Sequence, residues 1–426
     1  MKKCVLLVVF VLLSFMTTVS GQIVPPLDRL KEDPRRSYGT DYPYKQTDDV
    51  KLTKAPSGYK PFYISHYARH GSRYSWSSSL YDNLDTVLTV AHEKHQLTPA
   101  GENLYLQFMA VKEELLTGVS ELTELGWQQH QGIARTMYNN FPEVFKKGGD
   151  VLAISSLAGR CVISMSAFCQ ELVQCNPKIE IREQASNFTI DGVVPDNEKF
   201  NYPANLKPRF EKNRYQFKYE DDLYRNLLER VFTSTEGLPL QPNHIAGELI
   251  GFYKSLPSIG HEGMMGDLIT DQEMADRWEV DNLGAYSWVF GSHLQVIPIL
   301  QDILKKATAA IDGTGQCIAD LRFGHDGCIG PLTILMGING ADRDPEDPYE
   351  VKNCYQSWET CKACNIQLIF YRSKKRPDDI LVKCLMNGEE ATLPVPTTSY
   401  PYYKWSDFLK FYTQRTELRE SSASLE

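Results

Sequence analysis

Short apolar runs that end in a turn and lead into helical periodicity recur along this chain. Runs rich in aromatic and β-branched residues occupy 62–66, 151–156 and 317–323, and each predicts a buried strand. Longer stretches with apolar residues three and four positions apart follow these runs and predict helices. Strands that alternate with helices in this way are typical of an α/β fold.

The middle of the chain, residues 176–310, has helical periodicity and no convincing strand run. We therefore predict an inserted, mostly helical cap domain over this range. Residues 366–371 and 380–386 predict a β-hairpin, and 405–414 predicts a short closing helix. The expected fold class is α/β, with a three-layer core in which helices flank a mixed β-sheet.

The predicted domain organisation follows from these elements. A signal peptide spans 1–21, the discontinuous catalytic core spans 22–175 and 311–415, the cap spans 176–310, and a loose tail spans 416–426. Residues 22–60 are rich in Pro, Asp, Lys and Arg without periodicity, so we expect an extended lead-in there.

The first residues have the pattern of a secretory signal peptide. Lys2 and Lys3 precede an apolar run over 5–15, and small residues allow cleavage near Gly21. We therefore expect an exported protein, periplasmic or secreted. No later segment is long and apolar enough to span a bilayer, so we expect no stable membrane insertion.

The overall charge limits the classes of partner. The net charge is −9, whereas proteins that bind nucleic acid usually carry a basic face, so we expect no nucleic-acid partner. A basic site in this chain must therefore be built locally. Nothing in the sequence indicates the oligomeric state.

The sequence has ten cysteines, and nine remain once Cys4 leaves with the signal peptide. An odd number implies at least one free thiol or a bond between chains. Cys354, Cys361, Cys364 and Cys384 lie close together and could form disulfides, stay as buried thiols or bind zinc. Only one CxxC pair is present, which favours the first two alternatives.

The first apolar run ends in Arg69-His70-Gly71-x-Arg73. An imidazole between two guanidinium groups suits a nucleophile that faces a phosphate. The arginines bind an oxyanion through fork-shaped donors, and the histidine attacks phosphorus. We expect Gly71 to let the backbone turn sharply and approach the ligand.

Polar residues also follow the other two runs, namely Arg160 and the pair His325-Asp326. Ligands of open α/β sheets bind outside the carboxyl ends of the strands, so neighbouring strands would bring these residues to one point. Arg160 would then join the other arginines on the phosphoryl oxygens. His325 would donate a further hydrogen bond, and Asp326 would protonate the leaving alkoxide.

This assignment needs neither a metal nor a cofactor, because arginines neutralise the phosphoryl charge. More ordinary roles are a surface position for Arg160 and a helix cap for Asp326. His66 and His70 also have the spacing of two zinc ligands on a helix. The strand-like run and Gly71 argue against a helix there.

These motifs resemble those of the histidine acid phosphatases, the branch of the histidine phosphatase superfamily that includes phytases. Leu122-Thr123-x-x-Gly126-x-x-Gln129 and residues 382–390 also look like that family, and the resemblance covers roughly 55–412. It implies an α/β core with a helical insert and a phosphorylated His70 as the reaction intermediate.

Within the family, residues 66–74 look most like the multiple inositol polyphosphate phosphatases, which typically follow their late histidine with Ala-Glu. This chain has His325-Asp326-Gly327, closer to the His-Asp of acid phosphatases and phytases. The resemblance implies a phosphomonoesterase that hydrolyses a small organic phosphate ester, such as an inositol polyphosphate.

Two alternatives stay open. A phosphotransferase or mutase of the same superfamily shares the first motif, but the signal peptide argues against it. A non-catalytic protein that binds phosphorylated ligands needs only the arginines, so the presence of both His70 and Asp326 argues against that alternative.

Overall fold

The computed structural model of the protein describes residues 25–45, 50–195 and 219–423. The predicted signal peptide lies outside these ranges. The strands are β1 (Tyr59–Arg69), β2 (Gly149–Ser155), β3 (Ile179–Gln184), β4 (Cys317–Gly324), β5 (Asn365–Ser373), β6 (Ile380–Met386), β7 (Glu389–Glu390) and β8 (Tyr402–Lys404).

Most helices of the described residues lie in stretches whose periodicity predicted helices. They are α1 (Pro26–Glu32), α2 (Ser79–Glu93), α3 (Pro99–Thr117), α4 (Glu124–Asn140), α5 (Pro142–Phe145), α6 (Gly159–Cys175), α7 (Tyr219–Val231), α8 (Pro242–Ser255), α9 (Asp271–Ser292), α10 (Ile297–Asp312), α11 (Asp326–Met336) and α12 (Trp405–Ala423).

Across the described ranges the strands form one eight-stranded sheet in the order β3-β2-β4-β1-β5-β6-β7, with β8 beside β6. The pairs β2–β3, β2–β4 and β1–β4 are parallel, and the pairs β1–β5 and β5–β6 are antiparallel. The sheet is therefore mixed, and the predicted hairpin is its β5–β6 pair.

The three strands that carry the sequence motifs are neighbours. Arg69 at the end of β1 pairs with Gly324 at the end of β4, and Ser155 of β2 pairs with Phe323 of β4. Because these strands are parallel, their carboxyl ends lie side by side at one edge of the sheet. The predicted adjacency of the three strand ends is confirmed.

Helices cover both faces of the sheet. Successive side chains of a strand point to opposite faces, so neighbouring residues contact helices on opposite sides. Phe323 packs against Phe168 of α6 and His130 of α4, with ring centroids 5.5 and 5.6 Å away. The next residue back, Arg322, points to the opposite face, where it binds Asp302 of α10 at 2.6 Å. The predicted three-layer core with a mixed sheet is confirmed.

A second apolar cluster lies apart from the sheet and is built from α2, α3, α7 and α8. It buries Leu84, Phe108, Leu227 and Leu249. The sequence predicted helices over this part of the chain but did not predict this cluster. The division of the chain into a core and an inserted cap stays a prediction.

Three expectations about local structure are wrong. The lead-in is not extended, because it forms α1, which begins at a proline, and a 3₁₀ segment over Pro34–Asp41, where the Asp33 carboxylate accepts the first N–H. Residues 176–310 do contain a strand, β3, whose edge position exposes alternate side chains. The closing helix continues to Ala423, because Tyr412 and Thr416 are buried.

All nine cysteines of the described residues are free thiols, and most of them are buried. This matches the buried-thiol alternative. No helix of the described ranges combines the length and the apolar character needed to cross a bilayer.

Candidate active site

The main chain of His70 is held from both sides at the end of β1. Its N–H donates to the carbonyl of Gly324 at 2.9 Å, and its carbonyl accepts the N–H of Ala363 at 2.9 Å. The first bond ties His70 to the end of β4, and the second ties it to the loop before β5. The position of the imidazole is thus determined by the sheet.

The imidazole of His70 is neutral and has one defined tautomer. Nδ1 lies 2.9 Å from the carbonyl oxygen of Gly71, which only accepts, so Nδ1 carries the proton and Nε2 keeps its lone pair. Burial, with further effects from Arg69 and Arg73, lowers the pKa of His70 well below its usual value. The ring therefore presents a nucleophilic nitrogen.

The start of α4 holds the loop after His70. A Cβ on Gly71 would lie 2.5 Å from the carbonyl oxygen of Gly126, and Gly71 does not adopt a positive φ. The missing side chain of Gly71 therefore makes room for α4, and its approach to the ligand stays a prediction. Gln129 accepts the N–H of Ser72 at 2.9 Å, and Thr123 donates to the Ser72 carbonyl at 3.0 Å.

Arg69 is almost completely buried and is anchored by protein oxygens. One terminal nitrogen donates to the carbonyls of Thr40 and Thr360 at 2.7 and 3.0 Å, and the other donates to Oδ2 of Asp326 at 2.9 Å. A guanidinium has five N–H donors, so two stay available, and Nε has no partner among the described residues. Arg69 can thus hold the carboxylate and a phosphoryl oxygen together.

Arg73 and Arg160 form fewer hydrogen bonds with protein oxygens than Arg69 does. Arg73 donates to the carbonyl of Tyr74 at 2.7 Å, and Arg160 donates to Oγ of Ser120 at 2.9 Å. Burial, with the nearby Arg69 and Arg160, lowers the pKa of Arg73 to about 10, so it stays charged at neutral pH. Neither arginine forms an ion pair with a carboxylate in the described part of the chain, which leaves both able to bind an anion.

His325 lies between the arginines and the end of β2. Its Nε2 is 2.9 Å from Oγ of Ser156, and its Nδ1 is 3.5 Å from Arg160. Its ring centroid is 5.7 Å from that of His70. Burial and Arg160 lower the pKa of His325 to about 4, so it is a neutral hydrogen-bonding group at neutral pH. Ser156 is a contact that the sequence analysis did not assign.

Asp326 faces the same space from the start of α11. Its Oδ2 accepts from Arg69, and its Oδ1 accepts the N–H of Gly327 at 3.0 Å. Burial acts to raise the pKa of Asp326, but Arg69, the Gly327 N–H and Arg73 outweigh burial and lower it. The N-cap of α11 is His325 and Asp326 is the first residue of the helix, so the helix-cap role is wrong for Asp326, which belongs to the charged cluster.

The sequence analysis missed one ion pair of the cluster, between Lys362 and Asp41. Lys362 is buried and its Nζ lies 2.7 Å from Oδ1 of Asp41. Asp41 and Arg73 both influence the pKa of Lys362, which places the pair beside the arginines. No motif marks either residue, because the two are far apart in sequence.

The charges of the cluster do not cancel. The cationic groups are Arg69, Arg73, Arg160 and Lys362, and the acidic groups are Asp41 and Asp326. Two positive charges are left over in an otherwise acidic chain. The dianion of a phosphate monoester matches this excess.

Two cavities adjoin Thr40, whose carbonyl accepts from Arg69. One of about 270 Å³ is lined by Asp326, Thr40 and Ala285, with further apolar walls. The other, of about 370 Å³, shares Thr40 and Ala285 and contains Lys254 and Arg277. The shared residues make the two cavities neighbours.

Metal-ligating side chains do not group together in the described ranges. No set of three or more His, Cys, Asp or Glu residues there is arranged to hold an ion. His66 lies on β1, where residues four apart are not stacked as they are on a helix, so the helical zinc spacing does not apply.

The mixed sheet, its flanking helices and the cluster at the ends of β1, β2 and β4 define the class. The chain has the histidine acid phosphatase fold.

The crystal structure of Bifidobacterium longum multiple inositol polyphosphate phosphatase in its apo form matches with a TM-score of 0.70 at 21% identity, covering 87% of this chain and 96% of that chain. Its complex with inositol hexasulfate matches with a TM-score of 0.67 at 20% identity over the same shares. The phytase from D. castellii matches with a TM-score of 0.68 at 15% identity, covering 90% of this chain and 85% of that chain.

These neighbours are phosphoric monoester hydrolases. No protein-family model matches the sequence, and no curated protein matches it either.

Proposed function

We propose that the protein is an exported phosphomonoesterase that acts through a phosphorylated His70. The observation that carries the proposal is the neutral His70 imidazole, whose Nε2 lone pair lies amid Arg69, Arg73 and Arg160 and on the same strand-end edge as Asp326. A nucleophile, three anion binders and a proton donor are the groups that this reaction needs.

In the first step, Nε2 of His70 attacks phosphorus and the bond between phosphorus and the ester oxygen breaks. The leaving oxygen takes a proton from Asp326, which becomes a carboxylate. The arginines bind the phosphoryl oxygens, whose charge persists through the transition state. A phosphate dianion beside Arg69 offsets the charge that lowers the pKa of Asp326, so substrate binding favours the protonated acid.

In the second step, water attacks the phosphorylated imidazole. The Asp326 carboxylate takes a proton from this water, the bond between nitrogen and phosphorus breaks, and inorganic phosphate leaves. The neutral imidazole and the protonated carboxyl are thereby restored. The proposal assigns charge neutralisation to the arginines and uses no cofactor.

We further propose that the substrate is an inositol polyphosphate such as phytate. The second cavity supports this, because it contains Lys254 and Arg277. Both are held by Asp281, at 3.0 and 2.8 Å, and these two cationic side chains suit a phosphate that does not react. A substrate with several phosphates can reach both neighbouring cavities.

The experiment that tests the phosphomonoesterase proposal is His70→Ala. We expect phosphate release from p-nitrophenyl phosphate to fall by at least about a thousandfold. A matched control, His244→Ala, changes an exposed histidine of α8 and should leave the rate unchanged. Survival of the activity in His70→Ala would refute the proposal.

The two alternatives predict different results for the wild-type protein. Transfer of phosphate to an added alcohol in preference to water would favour a phosphotransferase. Tight binding of phosphate esters without any release of phosphate would favour a binding protein.

A further inference from the structure

Trp288 is half exposed although it lies beside the candidate proton donor. It belongs to α9, lines the cavity that contains Asp326, and keeps 53% of its surface exposed. Trp278 of the same helix is 0% exposed and stacks on Trp358, with ring centroids 4.5 Å apart. The helix therefore buries one of these tryptophans completely and presents the other to the cavity.

The indole of Trp288 lies against the turn that carries Asp326. A Cβ on Gly327 would lie 3.3 Å from Cη2 and 3.7 Å from Cζ2 of Trp288, so alanine at position 327 would press on the ring. Gly327 also donates its N–H to Asp326. Gly327 thus makes room for the indole of Trp288 next to Asp326. This glycine belongs to the segment in which the sequence departs from the His-Ala-Glu pattern.

The cavity itself has two chemically distinct sides. Ala285, Val289 and Tyr355 extend the apolar wall that Trp288 begins, and Asp326 lies on the polar side. The volume of about 270 Å³ is enough for a small ring. Because Asp326 and Trp288 line the same cavity, a leaving group that enters it to receive a proton from Asp326 meets the indole.

The geometry points to Trp288 as a specificity-determining residue that stacks on the leaving group. The leaving group it selects is a six-membered ring with an apolar face, either the C–H face of a cyclitol or an aromatic ring. Stacking covers the indole surface that is otherwise exposed to water. This inference rests on the proposed function, because only proton transfer from Asp326 places the leaving group in this cavity.

The experiment compares Trp288→Ala and Trp288→Phe with the wild type on three esters. The ring esters are phenyl phosphate and myo-inositol 1-phosphate, and the linear ester is glycerol 3-phosphate. We expect Trp288→Ala to lower kcat/KM for both ring esters by about tenfold and to leave the linear ester within about twofold. Trp288→Phe keeps a flat ring and should retain most of the activity.

The matched control is Trp76→Ala, which removes an even more exposed tryptophan from the loop after Arg73 and should change no ester selectively. If Trp288→Ala fails to fold, Trp288→Leu retains apolar bulk without a flat face and should show the same selective loss. An equal loss on all three esters, or no loss, would overturn the inference. If the wild type releases phosphate neither from these esters nor from p-nitrophenyl phosphate or inositol hexakisphosphate, the proposed function itself fails.

Discussion

Replacing His66 tests whether a buried, neutral histidine lowers the free energy of unfolding of this protein at acidic pH. The ring lies on β1 in contact with Phe168 and Phe323, with ring centroids 5.0 and 5.7 Å away. It is completely buried, and neither ring nitrogen has a hydrogen-bond partner among the described residues. Burial, with smaller effects from His130 and Arg322, lowers the pKa of His66 to about 3.

The sign of the pH effect follows from linkage. The pKa is about 6.5 in the unfolded chain, so below that pH the unfolded state binds a proton that the folded state does not. The stability linked to His66 is therefore fully present above pH 6.5 and is lost as the pH falls towards 3. At pH 4.5 the loss is about 2.7 kcal/mol, from two pH units at about 1.36 kcal/mol each.

The perturbation is His66→Phe, which keeps an aromatic ring between the two phenylalanines and removes the titrating nitrogens. The free energy of unfolding is measured by urea denaturation at pH 7.5 and pH 4.5 for the wild type and the variant. We expect the wild type to lose about 3 kcal/mol more than the variant between these pH values.

His244→Phe is the matched control, because it makes the same substitution at an exposed position. If His66→Phe loses as much stability on acidification as the wild type does, the buried neutral histidine is not the cause and the reasoning is refuted.

Two further predictions concern the chemistry and the substrate. Asp326→Asn should lower kcat/KM for glycerol 3-phosphate, a poor leaving group, by about a hundredfold or more, and should lower kcat/KM for p-nitrophenyl phosphate far less. Because kcat/KM reports the step in which the ester bond breaks and not the later attack of water, equal losses in kcat/KM would remove Asp326 from the acid role. Lys254→Met should lower kcat/KM for inositol hexakisphosphate by about tenfold and leave p-nitrophenyl phosphate within about twofold, since Arg277 still pairs with Asp281. Loss on both substrates would show a structural role for Lys254 instead.

The local elements of the fold were largely predictable because their signals are local. The apolar runs of β1, β2 and β4 end close to where the sequence predicted. The edge strand β3 was missed because it is half exposed and lacks a continuous apolar run. The lead-in was missed because short helices that begin at prolines show no periodicity.

The sequence predicted only those residues of the candidate site that lie directly after a predicted strand. His70, Arg160 and Asp326 were found because each follows an apolar run, and the sheet then places the three strands side by side. Lys362 and Asp41 were missed because they lie in loops, and their ion pair forms only in the folded chain. The close approach of Gly71 to Gly126 was not predicted, because it depends on how α4 packs against the loop after β1.

The sequence by itself determined most of the strands and helices and the candidate reactive groups, since each depends on residues that are neighbours along the chain. Only the tertiary structure decided the tautomer of His70, the anchoring of Arg69 by Asp326 and the exposure of Trp288. These features depend on contacts between distant segments. Burial and nearby charge alter the protonation of a side chain only when folding brings those segments together.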